Sequence, residues 1–331
     1  MVLDALGGPA DPREDPIPLK AEVVKQCMDS GINAVNWTVG GPTFDATIRG
    51  IAFAQALEDS DPARWKIVRR YSDLAAAKKE GKIGLILGFQ FPQPLEEDLP
   101  RLTTFHRLGV RIIQMTYNAR GLFGDGCLEP GNAGLSKLGR EAITRMNELR
   151  IAVDLSHCGK RTTAESIQAS QKPVLITHSA CNAVFAHPRH KDDEELRALA
   201  NRGGVFGVYL MPYLTPSPKR PTKEDVIRNI EHALKVCGAD HVGIGTDNGI
   251  TPWDDSPEAE KKFQESIAER KRLGIGAPGE DRPLYVEGLN TPQRMLLIAD
   301  ELHRRGHSDE VIEKVLGRNF QRALGDIWGT A

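Results

Sequence analysis

Short apolar runs alternate along this chain with longer stretches in which apolar residues return every three or four positions. Eight runs read as strands: Val2 to Ala5, Asn33 to Val39, Ile83 to Phe89, Ile112 to Thr116, Ile151 to Leu155, Val174 to Thr177, Val205 to Leu210 and Val242 to Gly245. Several, such as IGLILGF and VFGVYL, are nearly continuous in apolar residues. That is the pattern of parallel strands buried on both faces. Between them, GLSKLGREAITRMNEL places Leu138, Ile143, Met146 and Leu149 at helical spacing. KDDEELRALANRGG begins acidic and ends in glycine, the start and stop signals of a helix. Strand-helix alternation repeated eight times predicts an α/β fold of the (β/α)8 TIM barrel type. The tail from Thr291 to Ile327 reads as two further helices.

No domain boundary interrupts the pattern, so residues 1–331 read as one barrel domain. Pro212 to Pro221, PYLTPSPKRP, reads as a loop inside one repeat. The charged segment Thr251 to Pro283 follows the eighth strand and contains EAEKKFQESIAERKRLG. It reads as an insertion at the mouth of the barrel, with a solvated surface helix favoured over a lid.

Composition narrows the function classes. The formal net charge of −2 and the absence of a clustered basic face give no nucleic-acid footprint. No apolar run is long enough for a transmembrane helix, and MVLDALGG lacks the features of a signal peptide, so no membrane partner is expected. Cys27, Cys127, Cys158, Cys181 and Cys237 are scattered and form no C-x-x-C pair, which predicts a reducing, cytoplasmic setting.

The candidate chemistry sits where the apolar runs end. Ile151 to Leu155 runs into Ser156-His157, and Val174 to Thr177 runs into His178-Ser179, 21 residues later. In a barrel this puts both imidazoles at the C-terminal mouth on neighbouring strands, where metal ligands converge. Asp247 ends the eighth run, HVGIGTDNG, and is a candidate proton-transfer group or metal ligand. Arg189, in HPRHKDDEEL, is a candidate grip for a substrate carboxylate or a partner for the acids that follow it; His187 and His190 beside it read as surface residues. Gln90 ends the third run as a hydrogen-bonding group rather than a ligand or base. Tyr117 and Asn118 close the fourth run, Tyr117 as a catalytic candidate and Asn118, like Gln90, as a substrate contact. Cys127 and Glu129 lie in the loop that follows; a zinc thiolate is one reading of Cys127 and a buried free cysteine the favoured one.

Six segments carry a resemblance: RLGVRIIQMTYN, GLSKLGREAITRMNELRIAVDLSH, KPVLITHSA, PRHKDDEELRALANRGGVFGV, HVGIGTD and VEGLNTPQRMLLIADELHRRGHSDEVIEKVLGRNFQRAL. Together they resemble the renal (membrane) dipeptidase family of amidohydrolase-like barrels. The resemblance implies a small carboxylate-bearing substrate, a homodimer and two zinc ions. It implies that a His-x-Asp pair after the first strand binds one zinc and a glutamate after the third run bridges both. It assigns the second zinc to His157 and His178, the substrate carboxylate to Arg189 and the proton to Asp247.

The chain departs from that pattern. Leu6 and Gly8 stand at the His-x-Asp positions, Gln90 at the bridging glutamate, and Tyr117 at the histidine of the fourth-strand motif. One zinc ion or none is therefore expected rather than two. Three readings follow: a one-metal hydrolase built on His157, His178 and Asp247; a metal-free barrel enzyme such as an isomerase, lyase or decarboxylase using Tyr117, His157, His178 and Asp247 as acid-base groups; and a catalytically silent binding homologue.

Overall fold

The computed structural model describes residues 1–330. Ten strands form one parallel sheet: β1 (Leu3–Gly8), β2 (Ala34–Thr38), β3 (Trp65–Ile67), β4 (Ile83–Phe89), β5 (Val110–Gln114), β6 (Ala152–Asp154), β7 (Leu175–Ser179), β8 (Val205–Val208), β9 (Val242–Ile244) and β10 (Asn248–Gly249). The order is β10-β1-β2-β4-β5-β6-β7-β8-β9. β9 and β10 are two parts of one segment, Val242–Gly249. Its first part pairs with β8 and its second with β1, and this closes the barrel. β3 is a strand that the sequence pattern does not reveal. Its three residues pair with the beginning of β4, below the point where β5 joins β4.

Alternation within the strands sorts the side chains. In β4, Leu85, Leu87 and Phe89 pack outward beneath the helices, while Ile86 points into the barrel. Each of the strands β1, β2 and β4 to β8 contributes interior apolar residues, among them Leu3, Ala34, Ile86, Ile112, Ala152, Leu175 and Val205. Phe320, Leu324 and Ile327 of the last helix (Asn319–Trp328) complete this cluster and seal the N-terminal end of the barrel. Glycine is required at two strand positions for that seal. A Cβ on Gly243 would meet the Phe320 ring at 2.5 Å, and one on Gly207 would meet both a backbone carbonyl and that ring.

The tail contains Arg294–Arg304 and then a helix from Asp309 to Trp328, broken at Gly317, where the backbone is non-helical. The insertion forms a helix over Pro257–Arg272, and the chain then returns across the mouth. This helix is not simply a solvated one: Phe263 and Ile267 are buried, and Trp253 meets Phe263 edge-on at 5.0 Å.

Candidate active site

The C-terminal mouth brings together the side chains that end five of the strand segments. His157 follows β6, His178 lies in β7, Tyr117 and Asn118 follow β5, Gln90 follows β4, and Asp247 interrupts the closing segment between β9 and β10. Asp247 has φ 58°, a left-handed conformation that aspartate tolerates better than most residues. The break frees its side chain from the ladder, and Gln90 Nε2 donates to its Oδ1 at 3.3 Å. Arg189 reaches in from the loop after β7 and is fully buried.

The hydrogen bonds fix the form of each imidazole. Asp154 accepts from the backbone N–H and hydroxyl of Ser156 and from the backbone N–H and hydroxyl of Thr177. With its proton directed to Asp154, the Thr177 hydroxyl accepts from His178 Nδ1 at 2.8 Å. His178 therefore presents a lone pair on Nε2, and that buried atom has no partner. His157 Nδ1 donates to the side-chain oxygen Oδ1 of Asn118 at 2.7 Å, so its Nε2 also carries the lone pair. That lone pair is already engaged: Arg189 Nη2 donates to it at 3.0 Å, while Nη1 donates to the Ser156 carbonyl at 2.7 Å. The ring of His157 stacks on Tyr117 at 4.2 Å and meets His178 at 5.1 Å.

Burial and charge tune these groups in one direction. Burial, reinforced by the Arg189 guanidinium, holds both imidazoles well below their ordinary pKa, so they are neutral near pH 7. Burial raises Asp247 to about 6, although Arg189, Gln90 and Arg270 oppose the shift. Burial also raises the Tyr117 hydroxyl, which stays protonated near neutrality. The site thus holds neutral donors and acceptors around one carboxyl group that titrates close to physiological pH.

The insertion covers this arrangement. Arg270 Nη2 donates to the Tyr117 hydroxyl at 3.4 Å and to Glu280 at 2.9 Å. The Ile275 carbonyl accepts from Asn118 at 2.8 Å, and the Pro278 carbonyl lies 2.9 Å from His187 Nε2. Tyr213 stacks on His187 at 5.0 Å and donates to Glu280 at 3.5 Å. The helix itself is a surface helix, exposed along most of its length as expected, and it is Arg270 and the return through residues 275–280 that reach over the mouth. These polar contacts come from a stretch too charged for a hydropathy pattern to place inward.

His190 also departs from the surface reading. It is buried, with Nε2 2.8 Å from the Tyr209 hydroxyl. Cys127 is half-buried and its thiol donates to Asn118 at 3.4 Å; Glu129 pairs with Arg120 at 3.4 Å instead of entering the site. The sequence reading missed Arg270, Glu280, Tyr209 and Tyr213. The one available signal was position: Tyr209 and Tyr213 follow β8, and Arg270 and Glu280 lie in the insertion after β10, segments that build the mouth of a barrel.

Residues 23–272 match the family model described as membrane dipeptidase, peptidase family M19. The chain belongs to the membrane dipeptidase family. An amidohydrolase from Pseudomonas aeruginosa is similar over 99% of this chain and 97% of its own, at 31% identity and a TM-score of 0.87. Dipeptidase tcpJ of Claviceps purpurea is 25% identical over 85% of this chain, and dipeptidase verJ of Clonostachys rogersoniana is 27% identical over 85%. The chain spans only 60% and 65% of the lengths of those two relatives.

The family is one of metallopeptidases, and this chain's residues fit a metal poorly. At Gly8, where the resemblance expects an aspartate, any Cβ would run into the Trp37 ring. Trp37 is held there by its indole N–H, which donates to the Ala10 carbonyl at 2.9 Å. Gln90 offers a neutral amide where a bridging carboxylate is expected. His157 Nε2 faces a guanidinium rather than an open position. Among the described residues, no three histidine, cysteine or acidic side chains are grouped to hold an ion. His178 Nε2 is the one unpartnered imidazole lone pair in the pair, and a single neutral nitrogen does not make a zinc site.

Proposed function

We propose that this chain hydrolyses an amide bond in a small substrate that carries a carboxylate, with Asp247 moving the proton. The observation that carries this reading is the placement of Asp247: a half-buried carboxyl group with a pKa near 6, on a break in the barrel-closing segment and within the fields of Arg189 and Arg270. A base poised near the working pH balances availability against proton affinity. The relatives' description as dipeptidases supports an amide bond close to a carboxylate.

Asp247 takes a proton from water as the water oxygen adds to the carbonyl carbon. Negative charge develops on the carbonyl oxygen, opposite the Tyr117 hydroxyl and the guanidinium of Arg270 behind it. The C–N bond then breaks, and Asp247 returns the proton to the amine nitrogen. Arg189 has five N–H groups and spends two of its nitrogens on Ser156 and His157; the remaining donors are available for the substrate carboxylate. His178 Nε2 accepts a hydrogen bond from the substrate amine. The lid excludes bulk water and so strengthens each of these interactions. No step draws on a resident ion.

The test is a panel of dipeptides and N-acyl amino acids incubated with chelator-treated protein, with the released amine as readout. Turnover that survives chelation and disappears in Asp247→Asn supports the reading. Turnover that appears only on addition of zinc overturns the metal-free route. Binding of panel members with no turnover under any condition overturns hydrolysis and leaves a binding protein.

A further inference from the structure

A second cleft, of about 360 Å³, opens on the opposite face of the barrel, far from the mouth. Arg69 and Arg70 enter it from the segment after β3, Arg111 from the start of β5, and Arg150 from the turn before β6. His106 and Trp328 complete the polar wall.

Among the described residues, basic side chains outnumber acidic ones in this cleft. Glu148 is its one acidic lining residue, and it pairs with Arg145 at 2.6 Å. Arg69 is paired with Glu58 at 3.1 Å. Arg111, only 9% exposed, donates to the backbone carbonyls of Arg69, His106 and Val110 and so keeps its charge while building the wall. Arg70 and Arg150 form no ion pair among the described residues; Arg150 holds the Trp328 carbonyl at 3.2 Å. Trp328, whose ring packs in the apolar cluster at the barrel's end, also borders the cleft and is placed to report what enters it. The surplus of basic side chains calls for a multiply charged oxyanion.

We propose that this cleft binds a small phosphate-bearing anion. The guanidinium groups of Arg70 and Arg150, on separate elements and in the field of Arg111, provide more donors than a single carboxylate can accept. A phosphate spreads its charge over three strong acceptor oxygens and matches the set. The site is distinct from the catalytic mouth and does not depend on the function proposed for it.

The experiment titrates the full chain with pyrophosphate by calorimetry at fixed ionic strength, with sodium chloride and malonate as parallel arms. The indole N–H signals of the 15N-labelled protein are followed in the same titration. The expected result is one saturable pyrophosphate per chain, with the Trp328 signal moving, and weaker binding of malonate. Losing one charged hydrogen-bond partner weakens binding about tenfold, so Arg70→Gln, at an exposed unpaired residue, lowers affinity by that factor without unfolding the chain. Trp328→Phe identifies the indole signal. Binding that leaves the Trp328 signal unmoved, or is unchanged in both Arg70→Gln and Arg150→Gln, overturns the site. A response equalled by chloride overturns it as well, and malonate binding more tightly than pyrophosphate overturns the phosphate assignment.

Discussion

The Arg189 guanidinium lies 3.0 Å from His157 Nε2, so a fixed positive charge faces the lone pair that the family resemblance assigns to a metal. The same arginine donates to the Ser156 carbonyl, one residue before His157, and is locked in place from two directions. A dication between His157 and His178 would have to share this space with Arg189, and among the described residues no three histidine, cysteine or acidic side chains are grouped to hold it.

The first prediction concerns metal content. After dialysis against zinc and removal of free ion, the native chain retains well under one zinc per molecule by elemental analysis. Arg189→Ala removes the charge and frees the lone pair, and its zinc content rises above the native level. Two firmly held ions per native chain would falsify this account of the site.

A second prediction follows from Asp247. The base must be ionised to act, so kcat/KM for a substrate found in the panel falls as pH drops below about 6. Asp247→Asn lowers kcat by ~10²–10⁴-fold. Stability moves in the opposite sense. The folded-state pKa is raised above the unfolded value of about 3.9, so protonation favours the folded state. That contribution is fully present below the unfolded value and is lost as pH rises through about 6. Thermal melts of Asp247→Asn against the native chain should therefore show a difference that shifts in favour of the variant between pH 4 and pH 7. A difference independent of pH would show that Asp247 is not the titrating group.

Gly8 supplies a packing test. A methyl group there collides with the Trp37 ring, which is anchored to Ala10 and meets Phe53 edge-on at 6.0 Å. Gly8→Ala should cost ~1–3 kcal/mol in a urea melt, the usual range for overpacking. Gly8→Ala combined with Trp37→Leu should cost less than the sum of the two single changes, because the smaller side chain vacates the space. Strict additivity would mean that Trp37 is not the obstacle.

The lid rests on a pair that can be weakened with little change of shape. Glu280 is 3% exposed and takes both contacts from Arg270, at 3.1 and 2.9 Å. Glu280→Gln keeps the size and removes the charge, which should loosen residues 257–283 and release the hydrogen bond to Tyr117. Proteolysis within that segment should quicken, and KM should rise by roughly tenfold, the equivalent of about 1.4 kcal/mol. Unchanged proteolysis and KM would make the lid a static part of the wall.

The strand-helix alternation, the eight apolar runs and the histidines at the ends of two of them were legible in the sequence, because burial on both faces of a parallel strand writes itself as a continuous apolar run. The placement of His157, His178, Asp247, Tyr117 and Gln90 at one mouth followed from the same pattern, since barrel closure brings strand ends together whatever the loops do. β3 escaped notice because three residues paired with one half of β4 leave no periodic trace. The insertion was placed at the mouth from its position, but the contacts of Arg270 escaped notice for a different reason: it is inward because Glu280 and Tyr117 await it, and a charged residue carries no local sign of its distant partner. The lock of Arg189 on His157 was likewise decided only in three dimensions. The 31 residues between them are spanned by a helix and a strand, and only the packing of that unit sets the distance between guanidinium and imidazole. Sequence by itself determined which residue types stand at the mouth; tertiary structure decided which of them touch, because hydrogen-bond geometry depends on ångström-scale positions that hydrophobic periodicity does not encode.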